Sequence, residues 1–152
     1  MLDAVRLPRK AQYAICGVFD LAYNGQGEAV QIRAISERQA IPARYLEQIF
    51  QRLRRAGLVT SKRGPGGGYR LARAPEEITL REVVEAVEGP FQAGPVAGPQ
   101  RTATRYRPDF LWPALASAFA DLLDGTSLES LCRDASRASV ERAAPPPPMY
   151  FI

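Results

Sequence analysis

The feature that most constrains the fold is an amphipathic segment over residues 43–56 that ends at a glycine. Its apolar residues recur at positions i, i+3, i+4 and i+7, which is the spacing of one helical face. Pro42 before the segment suits the start of a helix, and Gly57 suits the position just beyond its end. We predict a helix whose single apolar face other parts of the chain must cover. The residues of that face are Leu46, Ile49, Phe50 and Leu53.

A glycine-rich turn follows this segment. Residues 58–62 and 69–72 are short β-prone runs, and Arg-Gly-Pro-Gly-Gly-Gly lies between them. Runs punctuated in this way predict a β-hairpin with a glycine-rich tip. The competing interpretation is a phosphate-binding loop, which requires Gly-Lys-Ser/Thr at the start of a helix. Gly68 instead leads into a β-prone run, so the hairpin is favoured.

Apolar periodicity predicts further helices around this pair, and residues 29–32 favour a short edge strand. Helix, short helix, tight turn, amphipathic helix and β-hairpin, in that order, are typical of a winged helix-turn-helix. We therefore predict a mainly α fold with a small β-hairpin, in which a winged helix-turn-helix precedes a long C-terminal dimerisation helix. The further helices are predicted over residues 9–24, 33–40, 79–88 and 109–124, with a short one starting at Thr126-Ser127.

The domain organisation follows from these elements. Residues 1–89 form the predicted DNA-binding domain, and residues 90–108, rich in proline and glycine, form a long loop. Residues 109–135 hold the dimerisation helix and the short helix. Residues 136–152, which include four consecutive prolines, are predicted to be a flexible tail.

Positive charge is concentrated in one stretch of the sequence. Residues 33–73 contain ten basic and two acidic residues, a net charge of +8, although the whole chain carries only +4. Segregated charge of this kind attracts polyanions such as DNA. A solvated basic face is the alternative interpretation.

In a winged helix-turn-helix, the N-terminal residues of the helix after the turn reach base edges in the major groove. Arg44 suits guanine, Gln48 suits adenine, and Glu47 suits the amino group of cytosine. Two alternatives remain open: a salt bridge from Glu47 to Arg44 or Arg54, and Gln48 as an ordinary exposed residue. At the hairpin, glycines let the backbone approach a duplex, and Arg63 suits a minor groove.

Missing residue types exclude most enzyme classes. The chain has no histidine, which removes Ser-His-Asp and Cys-His catalysis and all histidine-based metal sites. Its two cysteines, Cys16 and Cys132, are too few for a four-thiolate centre. We predict no catalytic activity, no metal and no cofactor. No membrane span, signal peptide or disulfide framework is recognisable, so we expect a cytoplasmic protein with no membrane partner.

Three segments resemble the Rrf2 family of bacterial transcription regulators. Residues 37–50 are Glu-Arg-Gln-Ala-Ile-Pro-Ala-Arg-Tyr-Leu-Glu-Gln-Ile-Phe, and residues 53–59 are Leu-Arg-Arg-Ala-Gly-Leu-Val. Residues 63–71 are Arg-Gly-Pro-Gly-Gly-Gly-Tyr-Arg-Leu. The resemblance extends over about residues 7–89, and residues 111–115 are similar to the start of the family's dimerisation helix.

This resemblance implies a homodimeric repressor or activator that reads two half-sites of a near-palindromic operator in double-stranded DNA. It also implies that the base-reading positions lie on the predicted helix 43–56 and that the hairpin tip enters the minor groove. The DNA-binding residues expected on this basis are Arg44, Tyr45, Glu47, Gln48, Arg52, Arg63, Pro65, Gly66 and Gly67. The expected dimerisation residues are Leu111, Trp112, Leu115, Phe119 and Leu122.

The chain departs from the family in the loop before the long helix. Many members bind an iron–sulfur cluster there through three cysteines, whereas residues 88–109 contain none. We therefore expect a cluster-free member, in which Cys16 and Cys132 are packing residues. Two alternatives for its control remain, a partner protein or a small ligand near the loop and dimer helix. The aromatic residues considered for a ligand pocket there are Phe91, Tyr106, Phe110 and Trp112.

Overall fold

A computed structural model describes residues 7–91 and 106–143 of the chain. It confirms the predicted fold class: these ranges contain six helices and one two-stranded antiparallel sheet. The 3-10 turn at Pro75–Glu77 was not predicted. The helices are α1 Arg9–Gly25, α2 Ile32–Gln39, α3 Ala43–Arg55, α4 Leu80–Glu88, α5 Leu111–Asp124 and α6 Leu128–Arg137; the strands are β1 Val59–Lys62 and β2 Gly68–Leu71.

The predicted edge strand over residues 29–32 is reduced to a single bridge. Val30 and Tyr69 exchange two backbone N–H···O bonds of 2.8 Å each. Pairing stops there because α2 begins at Ile32, after the extended Gln31. Gly68 next to this bridge has φ +148° and no room for a side chain, since a Cβ would collide with the Val30 carbonyl. A glycine is therefore required for the backbones to approach each other.

Two apolar clusters hold the helices together. The larger one combines α1, α2, α3, α4 and the sheet, and the apolar face predicted for α3 lies at its centre. A smaller cluster joins α1, α4 and α5 around Ala11, Val84 and Leu123. Gly17 permits close packing of α1 on α3, because a Cβ there would lie 2.9 Å from Cε2 of Phe50.

A buried ion pair fixes α2 against α1. Asp20 is fully buried and accepts hydrogen bonds from Arg38 Nη2 at 2.6 Å and from Gln39 Nε2 at 3.0 Å. The hydrogen bond to Asp20 raises the pKa of the Arg38 guanidinium above its ordinary value. Since α2 leads directly into α3, this pair sets the position of the base of the helix-turn-helix.

Helix α6 belongs to the same hydrophobic core as the first four helices. Leu128 of α6 is fully buried in the larger cluster, and its N–H donates to the Ile78 carbonyl at 2.9 Å. Beyond α6, the Tyr23 hydroxyl donates to the Val140 carbonyl at 2.7 Å, and Arg142 lies 4.1 Å from the centroid of the Tyr23 ring. The prediction of a flexible tail is therefore wrong for these residues: residues 136–137 belong to α6, and residues 140–143 are packed on α1. Residues 144–152, the rest of that prediction, lie outside the described residues.

Candidate nucleic-acid interface

The turn between α2 and α3 is closed by local hydrogen bonds. Ala40 adopts a left-handed conformation with φ +55°, and its N–H donates to the Ser36 carbonyl. The Ser36 hydroxyl donates to the Ile41 carbonyl at 2.5 Å, and the Ile41 N–H donates to Ser36 at 3.2 Å. These bonds define the angle at which α3 leaves α2, so the outer face of α3 is presented by a fixed frame.

The outer face of α3 is polar and exposed, as predicted. Arg44, Glu47 and Gln48 are all exposed, and Tyr45 is 58% exposed. Among the described residues, no cation lies within 4 Å of the Glu47 carboxylate, and Arg54 donates to the Ser61 hydroxyl at 3.2 Å. The alternative of a local salt bridge for Glu47 is therefore wrong in this structure. An unpaired carboxylate on a basic helix remains available to an outside partner.

Arg52 differs from the other predicted DNA-binding residues of α3. Its Nη1 donates to the Val87 carbonyl at 2.9 Å, near the C-terminal end of α4. The side chain is exposed, but part of its hydrogen-bonding capacity serves the packing of α3 on α4. Sequence spacing gives no sign of this contact because the two residues are 35 positions apart.

The wing is the β1–β2 hairpin, paired from Val59↔Leu71 to Lys62↔Gly68. Arg63, Pro65 and Gly66 lie at its tip and are exposed. Gly67 is buried instead: its N–H donates to the Gly64 carbonyl at 2.8 Å, and a Cβ would collide with the Lys62 carbonyl oxygen. Gly67 therefore shapes the turn, while Arg63, Pro65 and Gly66 remain accessible.

The structure divides the basic stretch into neutralised and available charges. Arg38 pairs with buried Asp20, Arg33 with Glu37 at 3.2 Å, and Arg73 with Glu82 at 2.7 Å. The remaining cations of residues 33–73 are exposed and have no carboxylate partner within 4 Å among the described residues. They lie on α3 and the hairpin, so the available positive charge coincides with the two elements predicted to touch DNA. These cations are Arg44, Arg52, Arg54, Arg55, Lys62, Arg63 and Arg70.

A cleft beside α3 includes residues that the sequence analysis missed. Arg9, Lys10 and Tyr13 of α1 face the outer side of α3, and the rings of Tyr13 and Tyr45 are 6.5 Å apart at 49°. Their spacing could have identified them, since positions 9, 10 and 13 share one side of a helix.

The predicted dimerisation residues lie on two different faces of α5. Leu111, Leu115 and Leu122 are 37%, 52% and 67% exposed. Together with exposed Ala118 they follow the spacing i, i+4, i+7, i+11 of a helix-pairing stripe.

The other two predicted dimerisation residues make contacts within the chain. The Phe119 ring packs edge-on against Phe91 at 5.6 Å, and half-buried Trp112 donates from Nε1 to Asp109 at 3.2 Å. Tyr106 and Phe110, which were considered with Phe91 and Trp112 for a ligand pocket, are strongly exposed.

The side chains that could ligate a metal ion or an iron–sulfur cluster do not favour such a site. Cys16 and Cys132 are half-buried free thiols, and burial raises the pKa of each above its ordinary value. In residues 7–91 and 106–143, no group of three or more Cys, Asp or Glu side chains is arranged to hold a metal ion. Residues 92–105, in the middle of the predicted loop, lie outside the described part.

No helix in the described ranges is both long enough and apolar enough to cross a membrane.

Residues 7–134 match the family model Rrf2, described as an iron-dependent transcriptional regulator. The HTH-type transcriptional regulator IscR of Aliivibrio salmonicida (strain LFI1238) is 42% identical over 132 residues. The match covers 86% of this chain and 79% of that protein.

Two solved structures share the fold. The structure of CymR (YrzC), the global cysteine regulator of B. subtilis, has a TM-score of 0.71 at 32% identity and covers 86% of this chain and 98% of its own. The structure of T. potens IscR has a TM-score of 0.72 at 30% identity and covers 92% of this chain and 95% of its own.

Proposed function

This chain belongs to the Rrf2 family and is a DNA-binding transcription regulator, and on that premise we propose that it acts in the cytoplasm as a homodimer on a near-palindromic operator. The observation that carries the proposal is the exposed leucine stripe of α5, combined with unpaired cations on α3 and the hairpin. Two copies paired along α5 would present two α3 helices to successive major grooves, as dimeric helix-turn-helix proteins do. Its relatives are regulators, and we propose no catalytic activity.

Within each half-site, we propose that Arg44, Glu47 and Gln48 contact base edges and that Arg63 enters the minor groove. The exposure of all four side chains and the absence of a described ion pair for Glu47 support these roles. Arg52 contributes positive charge while holding α4 through the Val87 carbonyl.

Selection of bound sequences from a random DNA pool, with the purified full chain, tests the proposal. We expect a near-palindrome of two half-sites separated by about one helical turn. Enrichment of a single, non-repeated half-site would contradict the homodimer while leaving DNA binding intact.

The Glu47→Ala variant separates discrimination among bases from the overall electrostatic attraction between protein and DNA. The carboxylate repels phosphates but discriminates among bases, so its removal should leave affinity unchanged or higher and relax one position of the selected sequence. An equal loss of affinity for all sequences would show a structural role instead.

Arg63→Ala should weaken binding to all selected sequences and reduce the salt dependence by about one phosphate contact. Arg137→Ala is the matched control, because it removes the same charge from exposed α6, away from the hairpin. If both variants behave alike, net charge rather than the wing explains the loss.

We also propose that this member works without an iron–sulfur cluster, although its family model is described as iron-dependent. Such clusters are held by cysteine thiolates, and the chain offers only Cys16 and Cys132, with no histidine as a substitute. Anaerobic reconstitution followed by iron and sulfide analysis should find no stoichiometric iron. Bound iron at one cluster per protomer or per dimer would contradict the proposal.

A further inference from the structure

A cleft of about 350 Å³ lies between the first turns of α1 and the outer face of α3. We call it the α1–α3 cleft. Its volume falls in the range of small-molecule sites, roughly 300–1,000 Å³. The residues that line it are Arg9, Lys10, Tyr13, Tyr45, Gln48, Ile49 and Arg52.

The lining is positively charged. It includes three cations, Arg9, Lys10 and Arg52, and no acidic residue. None of the three has a carboxylate within 4 Å among the described residues, so their charges are not neutralised within the described chain. Lys10 and Arg52 also line the neighbouring groove, which contains Glu85 and Glu88. Glu85 pairs with Arg81 at 3.2 Å, and neither carboxylate forms an ion pair with Lys10 or Arg52. Such a site selects anions, and guanidinium groups bind carboxylates through two parallel hydrogen bonds.

The cleft also has apolar walls. The Tyr13 and Tyr45 rings stand 6.5 Å apart at an angle of 49°, and buried Ile49 lies beneath them. Aromatic rings favour offset or edge-on contact with other rings at about 4.5–7 Å. At 6.5 Å the Tyr13 and Tyr45 rings contact each other and form one aromatic wall. An inorganic anion would bind the cations but would cover none of the apolar surface of this wall. The combination fits a flat organic acid better than a bare phosphate.

We propose that the α1–α3 cleft binds a small aromatic carboxylate, with its acid group on the cations and its ring packed against the Tyr13–Tyr45 pair. Tyr45 and Gln48 belong both to this cleft and to the DNA-facing side of α3. The ligand and the operator therefore compete for the same side chains. This consequence for DNA rests on the proposed function, whereas ligand binding itself does not.

Calorimetry on the full-length chain, without DNA, tests the site with benzoate as the probe. Benzamide has the same shape without the charge, and inorganic phosphate has charge without the ring. We expect saturable binding of one benzoate per protomer and at least about tenfold weaker binding of both controls, equivalent to about 1.4 kcal/mol. Equal binding of benzoate and benzamide, or no saturable benzoate binding, would overturn the proposal.

Two variants locate the binding site. Lys10→Gln removes an exposed cation from the cleft and should weaken benzoate binding at least about fivefold, since hydrogen bonds to charged groups are the strong ones. Arg137→Gln removes one exposed cation from α6 and should leave it unchanged. Equal losses in the two variants would show general charge attraction instead of a site.

Fluorescence anisotropy with the selected operator tests the competition. Benzoate should raise the apparent dissociation constant for DNA in proportion to its concentration, whereas acetate at matched ionic strength should not. Matching matters because salt alone weakens protein–DNA complexes. An equal effect of both salts means that the cleft cations serve only the DNA backbone, which overturns the proposal. A protein that binds benzoate but no DNA would contradict the proposed function and leave the cleft intact.

Discussion

Helices α3 and α5 have nearly the same length, 13 and 14 residues, but they meet their surroundings in opposite ways. α3 buries its whole apolar face within the chain, so that Leu46, Phe50 and Leu53 have no exposed surface. α5 is the more apolar helix, yet only Ala120 and Leu123 are buried, and its leucine stripe faces outwards.

The difference shows which helix has its apolar surface covered by the rest of its own chain. For α3, the exposed side is charged, and its apolar face is already covered by the same chain. For α5, burying the stripe against a second copy would recover about 25 cal/mol for each Å² of apolar surface removed from water. The exposed charges of α3 fit the proposed contact with DNA, and the exposed leucine stripe of α5 fits the proposed contact with a second copy.

Matched leucine truncations in the two helices should separate these roles. Leu53→Ala empties a fully buried site and should lower the free energy of unfolding by about 3 kcal/mol at any protein concentration. Leu122→Ala should cost little at dilutions where the chain is monomeric, and more as concentration rises and dimers form. Urea denaturation at two protein concentrations measures both effects. A cost of Leu122→Ala that does not change with concentration would place its contacts within one chain.

A charge on the stripe should break the proposed dimer. Leu115→Asp places two carboxylates in the interface, and the dissociation constant should rise by about 100-fold, or about 2.8 kcal/mol. Ser117→Asp is the control, because Ser117 is exposed on the same helix but lies away from the stripe, so it adds the same charge outside the interface. Sedimentation equilibrium distinguishes the two variants. A dimer that survives Leu115→Asp unchanged would show that α5 is not its interface.

Removing the charge of buried Asp20, which fixes α2 against α1, should lower the free energy of unfolding more than removing the charge of an exposed carboxylate. Asp20→Asn removes the charge that accepts from Arg38 and should cost about 2 kcal/mol of unfolding free energy. Glu37→Gln makes the same chemical change in the exposed pair with Arg33 and should cost less than about 0.5 kcal/mol. Thermal or urea unfolding of both variants provides the comparison, and similar costs would mean that burial does not strengthen the Asp20 pair.

The smallest expected effect is an increase in the free energy of unfolding when the turn before α3 is changed. Ala40 has φ +55°, a conformation that costs a residue with a Cβ roughly 1 kcal/mol. Ala40→Gly should therefore raise the free energy of unfolding by about 0.5 kcal/mol after the greater flexibility of unfolded glycine is subtracted. Ala34→Gly, within α2, should lower it by up to about 1 kcal/mol. Losses of the same size in both variants would show that the turn carries no backbone strain.

Local patterns in the sequence predicted most of the elements. The apolar face of α3 is correct residue by residue, and the hairpin bounds are correct to within one position. The helix predicted over residues 79–88 opens with a capping box: Glu82 N–H donates to the Thr79 hydroxyl at 3.2 Å, and Thr79 N–H donates to Glu82 at 3.1 Å. These features depend on residues a few positions apart, so their spacing is visible in the sequence.

The candidate interface was only partly visible in the same way. The sequence placed Arg44, Glu47 and Gln48 on one exposed face, which the structure has as well. It counted Arg38 in the net charge of residues 33–73, whereas Asp20, 18 positions earlier and outside that stretch, pairs with it. It also placed Gly67 at the DNA, although the folded turn buries that residue.

The sequence by itself determined most of the elements, their order and the charged character of α3, because helix periodicity, capping and turn chemistry act between near neighbours. The family followed from the resemblance carried by residues 37–71. Only the tertiary structure decided which charges remain available, that α1 and α3 together form the α1–α3 cleft, and that residues 140–143 pack near Tyr23. Several of those outcomes depend on pairs of groups that are far apart in the chain, such as Arg38 with Asp20 at 18 positions and Arg142 with Tyr23 at 119. Ion pairing and burial act over a few ångströms in space, and separation along the sequence does not record that distance.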